Sequence, residues 1–391
     1  MAIVIPAYKG RFLKETLDSI AVQAHKDEFV LYIGDDASPE RLDKIVESYQ
    51  NKVNLVYHRF SENMGGKDLV AHWERCIQLS AEPFIWLFSD DDLMPADGVE
   101  RVMEALSRPH HQRGYFFRFP LAVIDGENKR IRANRPLEEG SVSCYRLLLD
   151  KLQGKIDSAA VEYVFSREIW QSAGGFVHFP MAWCSDDATW AAFARHAGGV
   201  ISLPGQPVCW RNVEGANISN SAGHDKDKLH ATILFLRWMR NMFSDYVDDP
   251  ELISALQCYI HTILRISLHK HYNICGLWGV SMALGRFNKR AAFTTFFRNF
   301  RLVLLISFMQ PLAISQECLY FHKKFGCIYA LTSYFCPVCI VRCISSCHIL
   351  FHFFKEGHWG VFSSVRNCVV LKSDSSLKYL IRIPKHFLLY G

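Results

Sequence analysis

Three groups of carboxylates stand where chemistry could be done: Asp35-Asp36, Asp90-Asp91-Asp92 and Asp186-Asp187. The first two directly follow short apolar runs, FVLYIG and PFIWLFS. Three like charges in a row repel one another, and a bound cation is the natural remedy. A nucleoside diphosphate would be repelled by the same acids unless a divalent ion bridged them. Mg²⁺ or Mn²⁺ suits carboxylate and phosphate oxygens together and would stabilise a departing diphosphate. A carboxylate placed across from that leaving group could take the proton of an attacking hydroxyl. Asp186 and Asp187 in CSDDATW, after the Gly174-Gly175 pair, are the candidates. Asp35-Asp36 also has a plainer use, capping a helix that begins near Glu40. His224, in AGHDKDK, reads as an exposed loop histidine rather than a further metal ligand.

The elements that must position these acids are legible around them. AIVIPAY is short, β-branched and stopped by Pro6, which predicts a buried strand. RFLKETLDSIAVQ places Phe12, Leu13, Leu17, Ile20 and Val22 at near-helical spacing. FVLYIGDDAS, VNLVYHRF and PFIWLFSDDD read as further strands, with helices over ERLDKIVESYQ and KDLVAHWERCIQLS between them. Apolar strands alternating with helices predict a parallel sheet covered on both faces. Ligands of such sheets bind beyond the carboxyl ends of the strands, where the first two acidic groups fall. Helical patterns surround GGFVHFPMAWCSDDATW from about 140 to 200 and resume from 225 to 290.

The ordered set IVIPAY, IGDDAS, NMGG, WLFSDDDLMP, GGF and SDDATW resembles the family 2 glycosyltransferases of the GT-A fold, over residues 2 to about 220. CWRNVEGANIS looks like the Arg-containing segment that follows the catalytic core in many members. The resemblance implies that Pro6, Ala7 and Tyr8 hold the nucleobase and that Asp36 meets the base or ribose. It implies Asn63 and Gly65 near the ribose and diphosphate, with Asp91 and Arg211 also on the nucleotide sugar. Asp90 and Asp92 are then the metal ligands, with one departure from the family pattern. Counting back from Pro95, Asp90 falls on the last acid of Asp-x-Asp and Phe88 replaces the first; alternatively, 90–92 is itself the Asp-x-Asp. SDDATW matches the family's Glu-Asp pair, whose second acid is the base, hence Asp187 with Asp186 beside it.

From this follows an expected architecture: a GT-A-like α/β nucleotide-binding domain with a mainly parallel sheet at 1–225, then a helical, basic region at 226–391. The implied reaction is inverting, metal-dependent transfer of one monosaccharide from a nucleotide diphosphate sugar to a hydroxyl of a glycan or lipid-linked acceptor. The Gln-x-x-Arg-Trp segment of processive synthases does not occur, which favours single additions. Bacterial surface-polysaccharide assembly, lipopolysaccharide included, is the setting this suggests. A sugar-phosphate nucleotidyltransferase would want a Gly-rich, basic loop after the first strand, and AYKGRFLKE is a poor version. A non-catalytic glycan- or membrane-binding protein is the other alternative, raised by Phe88.

Composition sets the outer bounds. The 391 residues exceed the ~100–200 usual for one domain, so two units are expected. Half the residues are hydrophobic and 21% are charged, which excludes general disorder. Residues 251–391 carry 16 Lys+Arg against 4 Asp+Glu, a balance of +12, leaving −7 for residues 1–250. The acidic first part argues against nucleic acid as its substrate, and the basic remainder suggests an anionic surface such as lipid head groups. Arg286, Lys289, Arg290, Arg298 and Arg301 interleave with Phe287, Phe293, Phe296, Phe297 and Phe300, a pattern for the membrane interface. Two Pro-containing apolar runs, 302–316 and 325–341, fall short of the ~20 residues of a span. Ala2–Pro6 is too short for a secretory leader, so a cytoplasmic site at the inner face of the membrane is expected. Thirteen scattered cysteines do not form a disulfide framework. Cys336-Pro-Val-Cys339 tempts a zinc reading, but Cys339, Cys343 and Cys347 stand four apart, as on one apolar helix face.

Overall fold

The computed structural model describes residues 1–108, 114–213, 224–264 and 274–312, with short strands at 363–365, 368–372 and 378–382. The chain forms two compact units, Met1–Ala313 and Ile314–Gly391.

The first unit opens as the sequence pattern predicts: β1 (Ala2–Ala7), α1 (Leu13–Ala21), β2 (Val30–Asp35), α2 (Leu42–Glu47), β3 (Leu55–Arg59), α3 (Leu69–Ile77), β4 (Phe84–Leu87) and α4 (Gly98–Ser107). β1 pairs parallel with β2 on one side and β4 on the other, and β3 adds parallel to β2. Ile3, Ile5 and Ala7 of β1 enter one core with Leu13, Leu17 and Trp86, while Ala2 and Val4 enter the other with Val70, Ile85 and Leu87. A strand buried on both faces reads as an unbroken apolar run, which is how AIVIPA reads. The order reverses direction at β1, so the ends of β1, β2 and β4 enclose the crevice where such sheets take ligands.

The chain continues through β5 (Phe116–Arg118), β6 (Leu121–Ile124), β7 (Arg130–Ala133), β8 (Gly140–Val142), α5 (Cys144–Leu152), β9 (Tyr163–Ser166), α6 (Arg167–Ser172), α7 (Ser185–Ala197), β10 (Val200–Ser202) and β11 (Val208–Arg211). The completed sheet has the order β3-β2-β1-β4-β9-β5-β10-β8. β9 runs antiparallel to both β4 and β5, so the sheet is mixed on this side. A smaller sheet, β11-β6-β7, lies beside the acidic run and is tied to it by a bridge between Leu93 and Cys209.

Four helices follow: α8 (Asp225–Met242), α9 (Pro250–Thr262), α10 (Ile274–Leu284) and α11 (Lys289–Leu312). They join the first unit. The Tyr145 hydroxyl donates to Asp249 Oδ2 at 2.6 Å, and Cys184 Sγ meets the Tyr259 hydroxyl at 3.1 Å. The boundary near 225 expected from composition therefore falls inside a packed body.

In the second unit β12 (Ser363–Val365), β13 (Cys368–Lys372) and β14 (Lys378–Arg382) form an antiparallel meander, a β element beyond the helices α8 to α11 of the region expected to be helical. The 325–341 run and the 336–347 cysteines lie outside the described residues. Among the described residues no helix is long and apolar enough to cross a membrane.

Candidate functional site

A cleft of about 740 Å³ opens at the carboxyl ends of β1, β2 and β4. Pro6, Tyr8, Asp36, Asn63, Gly65, Asp90, Asp91, Asp92, Asp186 and Asp187 all line it. Of the expected site residues, two do not. Ala7 is fully buried beneath the cleft floor, and Arg211 is fully buried behind the acidic run.

At the nucleotide end, the acids hold loops in shape. Asp36 Oδ1 accepts from Met64 N at 2.7 Å and Oδ2 accepts from Gly65 N at 2.8 Å. The Arg75 guanidinium also pairs with Asp36. A side chain on Gly65 would bring its Cβ to 2.8 Å from Asp36 Oδ2, so only glycine lets this loop close on the carboxylate. Asn63 Oδ1 accepts from Gly66 N at 2.7 Å, completing the turn. His72, beside Asp36, is neutral at ordinary pH, because burial pulls its pKa down to about 4. Asp35 accepts from Ser38 N at 2.7 Å and from Arg59 Nη1 at 2.6 Å. Neither acid caps α2, which starts at Leu42 without a side-chain cap. The plain helix-cap use is thus excluded, and the pair braces the loops that frame the cleft.

The run 90–92 is crowded, with Asp92 buried and Asp90 and Asp91 partly so. Asp90 Oδ2 accepts from the backbone N–H groups of Tyr8 and Lys9, each at 2.8 Å, which fastens the end of β1 to the end of β4. Asp91 Oδ1 accepts from the Ser89 hydroxyl at 2.5 Å, and Asp92 Oδ1 from Arg211 N at 2.7 Å. Burial, then the charge of Asp91, pushes Asp90 up to about 7. Burial likewise raises Asp91, and burial followed by the charge of Asp91 raises Asp92 well above the usual carboxylate range. Carboxylates held this way favour a proton or a cation. Among the described residues no three acidic, imidazole or thiol groups converge as a ready cage. The donor set nonetheless fits an ion of the Mg²⁺ type, which takes one or two carboxylates and completes its shell with phosphate and water. Phe88 is a core residue, packed edge-to-face on Trp86 at 5.8 Å between ring centroids.

Arg211 is the framework of this end. Its Nε donates to Asp91 O at 2.7 Å, Nη1 to Asp125 O at 3.1 Å and Nη2 to Glu15 Oε2 at 3.0 Å. Its guanidinium lies 4.1 Å from the Phe12 ring centroid. The residue expected on the nucleotide sugar instead supports the loop that carries the acids.

At the far end, α7 starts after a segment under backbone strain. Met181, Ala182 and Cys184 have φ of 60°, 52° and 65°, left-handed values that non-glycine residues rarely adopt. Asp186 and Asp187 follow in the first turn of α7, the positive end of its dipole. Burial, then the Asp187 charge, pushes Asp186 up to about 7. Lys151 of α5 brings its Nζ to 3.3 Å from Asp187 Oδ1. Burial alone would lower this lysine, but Asp187 and Asp186 outweigh it and hold the ammonium charged. Lys151 and Tyr259 line the same cleft, and sequence reasoning missed both. In DKLQGK a lysine looks like any other helix-surface cation, and Tyr259 lies outside the expected catalytic stretch. His224 stands at the start of α8, half-exposed, 3.8 Å from Asp227, as its loop reading expected.

A sheet of this order, with acids at the switch point and a carboxylate pair opening a later helix across the cleft, is the GT-A glycosyltransferase fold. Residues 2–152 match the model of Glycosyl transferase family 2, which bears out the family read from the motifs. Two curated relatives are poly(ribitol-phosphate) beta-N-acetylglucosaminyltransferase TarS of Staphylococcus aureus, strains Mu50 / ATCC 700699 and MW2. Each is 36% identical over 67 residues, 17% of this chain and only 12% of the relative's length. Among solved structures, S. aureus TarS 1-349 in complex with UDP-GlcNAc superposes with a TM-score of 0.58 at 16% identity. That likeness covers 79% of this chain and 91% of the other. A second crystal structure of S. aureus TarS gives a TM-score of 0.51 at 15% identity, covering 97% of this chain and 60% of that one. At such identity the likeness is one of fold.

Proposed function

We propose that this protein transfers a monosaccharide from a nucleoside diphosphate sugar to a hydroxyl of a glycan or lipid-linked acceptor, in the assembly of a cell-surface polysaccharide. The observation that carries this reading is the single cleft, with the crowded acids 90–92 at one end and the carboxylate pair 186–187 at the other. Tyr8, Asp36, Asn63 and Gly65 frame the nucleotide. Asp90, with Asp91 or Asp92, would hold a Mg²⁺ or Mn²⁺ ion, which when bound neutralises the diphosphate as it leaves. Asp187 takes the acceptor's proton from the opposite side, so the sugar is displaced once and its anomeric configuration inverts. UDP-GlcNAc is the first donor to try, since the TarS fold relative is seen with it.

A lipid-linked acceptor would agree with the helical end of the unit. Trp278, Met282, Phe293 and Phe297 are exposed on α10 and α11, with Phe293 and Phe297 in ring contact. Arg286, Lys289, Arg290 and Arg298 are exposed around them, and no Asp or Glu occurs between Glu251 and Glu317. Apolar rings within a basic rim suit an anionic leaflet.

Thermal protection by a panel of nucleotide sugars with Mn²⁺ tests the donor site. Release of nucleoside diphosphate supports the transferase, release of pyrophosphate a nucleotidyltransferase, and no protection by any donor overturns the reading.

A further inference from the structure

The two acids at the start of α7 present a choice that the reaction must resolve. Neighbouring carboxylates in a poorly hydrated site do not both ionise readily, so near neutrality the pair tends to share one proton. A base must be the ionised member. What distinguishes the two is the cation that faces them.

We propose that Lys151 is a positioning residue that designates Asp187, and not Asp186, as the proton acceptor: its ammonium holds Oδ1 of Asp187 and leaves Oδ2 to the cleft. The inference rests on the reading of Asp187 as the base.

Asp187 Oδ1 is sealed from solvent, and among the described residues the Lys151 ammonium at 3.3 Å is the group that compensates it. The side chain as a whole keeps 11% exposure. With Oδ1 sealed, Oδ2 is the carboxylate oxygen left for the cleft that Asp187 lines. Lys151 is itself tethered, with Nζ 3.4 Å from Ser158 O, so the cation cannot swing to Asp186 without leaving that contact. The other groups facing Asp187 do not compete. Tyr163 of β9, Tyr259 of α9 and Cys184 are all raised by burial and stay neutral. Glu162 is taken up by Arg118 at 2.9 Å. Asp186, pushed up to about 7 by burial and then by the charge of Asp187, is the member that takes a proton more readily.

In the displacement, the acceptor oxygen forms the new bond to the anomeric carbon while the bond from that carbon to the diphosphate breaks. The electron pair leaves with the diphosphate, and the hydroxyl proton moves to Asp187 Oδ2. Lys151 changes neither bond nor proton count. It fixes which carboxylate is ready.

The test is the pH–rate profile of nucleoside diphosphate release, using the nucleotide sugar that gives most protection in the thermal screen. Wild type should lose rate on the acid side. K151M should move that limb to higher pH by about one unit, a roughly tenfold loss on the acid side, with KM for the donor unchanged. K151R should return the limb to its wild-type position. K151M/D186N should do so in part, because the competing carboxylate is gone. If K151M no longer gains protection from the donor, K151Q is read in its place. A limb that stays put, or a loss equal at every pH that K151R fails to rescue, overturns the proposal. D187N separates the two readings: near-wild-type release there defeats Asp187 as the base, whereas a severe loss with an unmoved K151M limb defeats Lys151 alone.

Discussion

The backbone N–H of Arg211 donates to Asp92 Oδ1 at 2.7 Å, joining positions 119 residues apart at the rim of the cleft. With three further side-chain bonds from the same residue, the last strand of the small sheet holds the acidic run in place. Arg211→Ala should cost about 2–4 kcal/mol, as the loss of a buried cation with several partners does. Chemical denaturation measures this. Because the guanidinium faces the framework, R211K should also be destabilising, and donor protection should fall in proportion to folding in both variants.

Metal dependence is checked directly. EDTA should abolish nucleoside diphosphate release, and Mn²⁺ or Mg²⁺ should restore it. Asp90→Asn should resist that restoration, and so should Asp91→Asn or Asp92→Asn, whichever carboxylate completes the pair with Asp90. Full release in EDTA defeats the cation.

The raised carboxylates give stability a pH slope of unusual sign. An unfolded aspartate ionises near ~3.9, whereas Asp90 and Asp186 hold their protons in the folded state up to about 7. Between those values the folded state binds more protons, so stability falls as pH rises. The thermal midpoint of metal-free protein should therefore decline from about pH 4 to about pH 7 by this principle. D186N should remove part of the decline. Adding Mn²⁺ with a nucleoside diphosphate should remove the Asp90 part and leave the Asp186 part.

Asp187→Asn should cut transfer by roughly 10²–10⁴, the worth of a general base, with donor affinity nearly unchanged. Asp186→Asn should cost much less. The reverse order would move the base by one residue.

Flotation with anionic vesicles reads the helical surface. Full-length protein should bind at low salt and release at high salt, since screening shortens the reach of the basic rim. Trp278→Ser with Phe293→Ser should release it at both. Absence of binding in every condition defeats the peripheral-membrane reading.

Of the first four strands, β1, β2 and β4 were legible as continuous apolar runs closed by Pro6, the Asp35-Asp36 turn or the 90–92 acids, and β3, the edge strand, as a shorter run that ends in His58-Arg59. The strands from β5 to β11 span three or four residues each, too few for an alternation to declare itself. The acids were found by their company. The roles of Arg211 and Lys151 were not, since an arginine buried behind a loop and one on a ligand look alike in sequence. Their partners come from Asp125, Glu15 and α7, and only the fold brings these together.

The contact of Cys184 with Tyr259 bears on how such a protein can be recombined. One residue stands two positions before the Asp186-Asp187 pair, and the other sits on α9, well past the place where composition changes. A chimera with its seam near residue 225 would take these partners from different parents and would have to re-fit the strained turn before α7. A seam after Ala313 keeps both in one parent. The turn that carries Asp186 and Asp187 is then inherited with α9 as well as with the sheet, and grafts that respect the packed unit should stay folded where grafts at the composition boundary stall.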